Sequence, residues 1–209
     1  MKDFKEIKNR DAWSTIRGYV YQVDTTILQW IKLEENERLE LEKGEDFDIV
    51  KQTIEGGEVD RELGQVKHRD ENLTLTSETT LESIVNFYQH RKNNPTLKLR
   101  FRFVTNTKYG VERPAIFKKS EAGIKKWIGI HNGTQKDDGN ETLKKIQSHI
   151  ISKFQASKEK VQAKKDKDEK DEASIEFYEE MVKQMEDVDF FHDFVRSFQW
   201  SFSSGSEHS

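Results

Sequence analysis

Leu39-Glu-Leu-Glu-Lys-Gly-Glu-Asp-Phe-Asp-Ile-Val50, followed by Leu63-Gly-Gln-Val-Lys-His68, is the stretch on which the reading of the fold turns. Leu39 and Leu41 alternate with Arg38, Glu40 and Glu42, the period of two that marks a half-buried strand. Lys43-Gly44-Glu45 reads as a turn, and Asp46 to Val50 resumes the alternation. Gly56-Gly57 marks a second turn, and Leu63 to His68 is a third short strand.

Outward from these strands the period changes to that of helices. Ile16, Val20, Ile27, Trp30 and Ile31 recur at helical spacing, which predicts a helix from Trp13 to about Leu33, with Asp11 or Ser14 as its cap. Leu81, Ile84, Val85 and Tyr88 place a second helix over Ser77 to Arg91. Leu97 to Val104 (LKLRFRFV) alternates strictly and is a strand, and Lys119 to Ile128 carries Ile124 and Trp127 on a short helix. From Asn140 the pattern reads as helical to the end. The nearly all-charged run from Lys158 to Asp171 is expected to be a solvated helix with paired charges. The order predicts an α/β fold with a small mixed sheet flanked by helices, followed by a helical C-terminal extension. The expected division is a core over residues 1–135 and an extension over 136–209, which packs on the core or forms an interface through its aromatic residues between Phe177 and Phe202.

Composition narrows the function. A third of the 209 residues are hydrophobic and the net charge is −4, so nothing suggests a protein that coats nucleic acid through bulk positive charge. There are no cysteines, which excludes a disulfide framework and Cys-based zinc sites. The start MKDFKEIKNRD has no apolar leader segment, and no stretch approaches a membrane span, so a soluble cytoplasmic protein is expected. The ending SSGSEHS reads as a frayed tail or the edge of something longer.

Residues two apart on a strand share a face. Asp46 and Asp48 are thus expected on one side of the hairpin with Gln65 and Lys67, while Phe47, Ile49 and Val66 turn into the core. Two carboxylates, an amide and an ammonium suit phosphodiester hydrolysis. Carboxylate oxygens and the Gln65 carbonyl suit a hard cation such as Mg²⁺, and Lys67 can position water or stabilise charge as the bond to phosphorus forms. Acid-x-acid and Gln-x-Lys also arise on ordinary solvated strands, so spacing alone leaves a structural reading open. His68 points away from Lys67 and is expected in the core or at its rim. Trp13, Trp30, Trp127 and Trp200 are most simply core or interface residues.

Four blocks in order, Arg17-Gly-Tyr-Val-Tyr-Gln22, Leu41-Glu-Lys-Gly-Glu-Asp46, Gly64-Gln-Val-Lys-His68 and Phe103-Val-Thr-Asn106, resemble the PD-(D/E)xK nuclease domain of CD-NTase-associated, Mrr-like endonucleases of bacterial anti-phage defence. The resemblance covers roughly the first half of the chain, and Gln-x-Lys in place of (D/E)xK is typical of this branch. It implies a restriction-endonuclease-like core that cuts double-stranded DNA with Mg²⁺, for which Mn²⁺ would substitute. It further implies Asp46 as metal-binding acid, Gln65 as second ligand and Lys67 as catalytic lysine. Asp48, as the acid followed by Ile-Val, competes with Asp46 for the metal. Gln22 on the first helix would face the active site, with Gly18 allowing helix and sheet to approach closely; a structural hydrogen-bonding role for Gln22 stays equally open. Such effectors are held in check until they assemble. The sequence has no P-loop, so a sensor or activator is expected elsewhere, or a homo-oligomer. The competing reading is a catalytically inactive nuclease-fold binding or assembly module.

Overall fold

The two alternating stretches of the opening segment pair as an antiparallel hairpin in the computed structural model, which describes residues 12–52, 58–118, 121–135, 140–164 and 168–202. The chain enters through α1 (Ala12–Ile31) and reaches β1 (Glu37–Leu41), which lies against β2 (Phe47–Gln52) with Leu39 opposite Ile49. β3 (Glu58–Lys67) continues antiparallel to β2, with Phe47 opposite Gly64. The chain then crosses over through α2 (Glu78–Asn93), so that β4 (Leu99–Thr105) joins β3 in parallel. A parallel neighbour needs such a crossover, because a tight turn can only reverse the chain.

The second crossover is longer. It runs through α3 (Gly123–His131), α4 (Asn140–Gln162), α5 (Glu169–Glu186) and α6 (Val188–Ser197), and ends in β5 (Phe198–Phe202), parallel to β4. The sheet is five-stranded and mixed, in the order β1-β2-β3-β4-β5. The expectation of helix to the end therefore fails at Phe198–Phe202. Phe198 and Trp200 are buried two apart, as a strand requires, and extend the core sheet. The charged run from Lys158 to Asp171 is likewise not one helix: α4 ends at Gln162 and α5 begins at Glu169, where the Asp168 side chain accepts from the Asp171 N–H. Lys158 pairs with Glu179 across the two helices, and Lys164, just past α4, pairs with Asp171. Gly56-Gly57, Asp11, Lys119 and the tail from Ser203 lie outside the described residues, and Ser14 sits inside α1 rather than at its cap.

The sheet's two faces differ in kind. On one, Leu63, Leu99, Phe101 and Phe103 meet Ile84 and Phe87 of α2, Trp127 of α3, and Phe191 and Phe194 of α6. The Phe87 ring stacks on Phe101 at 5.1 Å, and the Trp127 indole N–H lies 3.2 and 3.1 Å from the carbonyls of Val195 and Phe198. Buried aromatics of this kind carry most of a core's apolar area. This core runs across residue 135 without a break, since Ile146, Met181 and Phe198 belong to it along with Leu63.

Among the described residues the apolar cluster on the other face consists of the buried Phe47, Val66 and Val104, with Tyr21, Leu39 and Ile49 packed around them. Here α1 docks largely through polar side chains. Arg102 donates to Gln29 at 3.0 Å and pairs with the buried Glu62 at 2.8 Å. Trp127 and Trp200 are buried, as expected, whereas Trp13 and Trp30 of α1 are exposed. No helix among the described residues is long and apolar enough to cross a membrane.

Two glycines separate packing from propensity. A Cβ on Gly64 would collide with the Phe47 ring, while a Cβ on Gly18 would meet nothing within 4 Å, so Gly18 does not serve close approach of helix and sheet. Gly64→Ala is expected to destabilise by about 1–3 kcal/mol through overpacking, and Gly18→Ala to stabilise by about 0.5–1 kcal/mol as an interior helix position. Urea denaturation of the two variants measures both signs.

Candidate functional site

The register that sets Phe47 opposite Gly64 brings residue 46, one step before β2, alongside the Gln65-Val66-Lys67 tripeptide at the end of β3. Oδ2 of Asp46 accepts the Val66 backbone N–H at 2.6 Å. Its Oδ1 accepts from Nε2 of Gln22 at 3.2 Å, and the same amide nitrogen lies 3.1 Å from Oε1 of Glu42. Gln22 projects from the middle of α1, so three elements meet at one carboxylate: α1, the β1–β2 turn and the end of β3. Glu42 opens that turn with φ of 53°, in the left-handed region that residues other than glycine rarely occupy.

Gln65 is buried and held at both ends. Its Oε1 accepts from the Ser83 hydroxyl of α2, and its Nε2 donates to Oε2 of Glu45 at 3.1 Å. Glu45 in turn faces Nε2 of His90, 3.4 Å from its Oε1. The expected role of the Gln65 carbonyl as a free oxygen donor is therefore qualified, since one of its lone pairs is taken by Ser83. Lys67 is half-buried and forms no ion pair within 4 Å among the described residues, but its charge acts on Asp46.

Asp48 does not join this group. It is fully buried, accepts the backbone N–H groups of Gly44 at 3.0 Å and Glu45 at 3.2 Å, and receives Nη1 of Arg61 at 2.7 Å. Arg61 also reaches Glu40 at 3.1 Å. Asp48 thus ties down the turn that carries Glu45 and Asp46, and its oxygens are satisfied by the protein. Of the two acids left open by the sequence, Asp46 is the one beside the tripeptide. His68 packs edge-on against Tyr21 of α1 at 5.8 Å, on the face away from Gln65, as expected. Asn106, in the last resemblance block, holds the chain after β3 by accepting from the Arg69 N–H at 2.7 Å and donating to its carbonyl at 3.0 Å.

Glu45, Ser83, His90 and Arg61 are the members that sequence reasoning missed. Glu45 lies within the quoted turn, but no local pattern ties it to Gln65. Ser83 and His90 come from α2, the helix of the β3–β4 crossover.

Electrostatically the site gathers acids around Asp46. Burial pushes the Asp46 carboxyl above its ordinary 3.8, and Glu45 and Glu42 push the same way; the Val66 N–H and Lys67 oppose them. The hydrogen bond to Glu45 raises the His90 imidazole above its ordinary 6.5, against its burial. Among the described residues no group of three or more His, Asp or Glu side chains is placed to hold a metal ion. Mg²⁺ does not require one, because it binds through one or two carboxylates and keeps several waters. The hard-oxygen chemistry of Asp46, with Glu42 and Glu45 nearby, fits such an ion. No family model matches the chain, nor does any curated protein or solved structure.

The shifts give two signed expectations. A native carboxyl that keeps its proton to higher pH than the unfolded chain costs nothing below 3.8 and destabilises once pH has risen through the native value. Asp46→Asn, which can still accept the Val66 N–H, is expected to unfold at a higher temperature than wild type at pH 7 and to lose that advantage below pH 3.8. His90 runs the other way: its contribution is fully present below 6.5 and fades as pH rises through the raised native value. His90→Ala should flatten the stability profile across that interval, as read by thermal melts at a series of pH values.

Proposed function

We propose that this chain is a metal-dependent endonuclease that hydrolyses phosphodiester bonds of double-stranded DNA, acting as a regulated effector in anti-phage defence. The observation that carries the reading is the Asp46 carboxylate lodged against the Gln65-Val66-Lys67 tripeptide, with Oδ2 2.6 Å from the Val66 nitrogen and Gln22 on Oδ1. These are the residues on which the resemblance to PD-(D/E)xK nucleases rests.

In this reading Asp46 would hold Mg²⁺, or Mn²⁺ in its place, and Gln65 would be the second oxygen donor beside it. A divalent cation held there would supply Lewis acidity toward a phosphoryl oxygen and toward the attacking water. The chain's own groups do the rest. Gln22 orients Asp46 from α1. The Ser83 and Glu45 contacts fix Gln65, and His90 fixes Glu45. Lys67 supplies positive charge beside Asp46, where negative charge grows on the phosphoryl oxygens as the nucleophile attacks. Lys67 ends β3 and Arg69 follows two residues on, so positive charge stands close in the chain to the tripeptide although the whole chain carries −4. Phosphate contacts of this local kind position a duplex without a basic surface elsewhere.

The test is cleavage of supercoiled plasmid with Mg²⁺, using wild type, Lys67→Ala, Asp46→Asn and an EDTA control. Wild type is expected to nick and linearise the plasmid, and Lys67→Ala to fall by roughly 10²–10³, the loss typical for a group that stabilises charge in the transition state. A second readout is thermal: Mg²⁺ or Mn²⁺ is expected to raise the melting temperature of wild type and not of Asp46→Asn. Cleavage that survives in Lys67→Ala, or a metal-induced shift that persists in Asp46→Asn, would overturn the assignment. Absence of both metal binding and cleavage would favour an inactive nuclease-fold assembly module.

A further inference from the structure

α1 is built inside out. Trp13, Ile16, Val20, Val23, Ile27 and Trp30 follow one another at steps of three, four, three, four and three residues, the a and d positions of a heptad repeat. All six are exposed, from 45% at Ile27 to 71% at Trp13. The side that meets the sheet is instead Tyr21, Gln22, Thr25 and Gln29, with Gln22 and Gln29 bonded to Asp46 and Arg102. Tyr19, Leu28 and Ile31 widen the outer apolar stripe, and each is more than half exposed. Taken with the six seam residues they leave on the order of 800 Å² of apolar side chain in water, about one partner's half of a standard stable interface. Monomers rarely carry a patch that large.

We propose that α1 is the dimerisation element of this protein and pairs antiparallel with α1 of a second copy. The two charged residues of α1, Arg17 and Asp24, decide both occupant and direction. They lie seven residues apart at the same flanking e position. An antiparallel pair that stacks Val20 on Val23 of the partner subunit also stacks Ile16 on Ile27 of the partner subunit and Trp13 on Trp30 of the partner subunit. The e positions of the two helices then flank each other, and Arg17 comes beside Asp24 of the partner subunit, twice, about a two-fold axis. A parallel pair matches e with g positions, where Ala12, Tyr19 and Thr26 stand, and leaves neither charge a partner across the interface. The seam is thus complementary to itself in apolar register and in charge, and only when reversed. Gln22 falls beside the two-fold axis on the inner side of the helix, so the pairing also joins two Asp46 sites through one helix pair. The proposal stands on α1 alone and is independent of the chemistry at Asp46.

Sedimentation equilibrium of the full chain tests it. Wild type is expected to be a dimer at micromolar concentration, and Val20→Glu/Ile27→Glu a monomer with unchanged helical circular dichroism, since both residues are solvent-exposed in one copy. Arg17→Asp and Asp24→Arg should each weaken the dimer by about tenfold, and the double swap should restore it. Because the chain has no cysteine, Val20→Cys and Val23→Cys map the direction: oxidation is expected to cross-link a mixture of the two and neither alone. A wild-type chain that stays monomeric to on the order of 100 µM, a dimer untouched by Val20→Glu/Ile27→Glu, a double swap that fails to rescue, or cross-linking of Val20→Cys by itself would each overturn it.

Discussion

The ring of Phe47 lies on Gly64, and much of the molecule depends on that contact. It needs a residue without a side chain at 64, because any Cβ there would occupy the space of the ring. It sets the pairing of β2 with β3, since a slip of one residue would turn every side chain of β2 to the other face. With that register in place, the residue before β2 must lie beside the residues after Gly64. Asp46 reaches the Val66 N–H for this reason, so backbone pairing brings the carboxylate to the tripeptide, where Gln22 holds its other oxygen.

The turn that carries Asp46 is held by a second device on the opposite face. Asp48 is buried and spans the turn by accepting the N–H groups of Gly44 and Glu45, while Arg61 supplies the opposing charge. Splitting a buried pair of this kind typically costs about 3–5 kcal/mol, because the remaining charge is left without compensation. Two acids two residues apart thus have different work. Asp48 spends its hydrogen-bonding capacity on the fold, and Asp46 keeps an oxygen whose only partner among the described residues is the amide of Gln22, 3.2 Å away.

The sheet's asymmetry explains the rest of the architecture. The face covered by α2, α3 and α6 is filled with Phe and Trp rings and carries the main core. The face under α1 bears Glu62 and Arg102 as well as a small apolar cluster, so the helix that covers it must offer polar side chains. Gln22 and Gln29 do so. A helix with both a polar docking side and a heptad of apolar residues has its apolar side pointing to water in one copy, and α1 takes that arrangement.

Much of the secondary structure was legible in the residues themselves. The period-two alternation of Leu39, Leu41, Phe47 and Ile49, and that of Leu99, Phe101 and Phe103, is a local property that any strand imposes, and β1, β2 and β4 lie where it predicts. Helical spacing likewise marked α1 and α2. Which way an apolar stripe points is not local: Trp13 and Trp30 repeat as core residues do, and only the polar face of the sheet beneath α1 turns them outward. The same limit applied to Phe198, Trp200 and Phe202, whose alternation follows directly on a helix and becomes a strand because β4 presents an open edge to it. At the candidate site, Asp46, Gln65 and Lys67 were visible as strand-face residues. The division of labour between Asp46 and Asp48, and the support from Glu45, Ser83 and His90, was decided by tertiary structure alone. Hydrogen bonds and burial join the β1–β2 turn and β3 to the crossover helix α2, and no periodicity along the chain records such contacts.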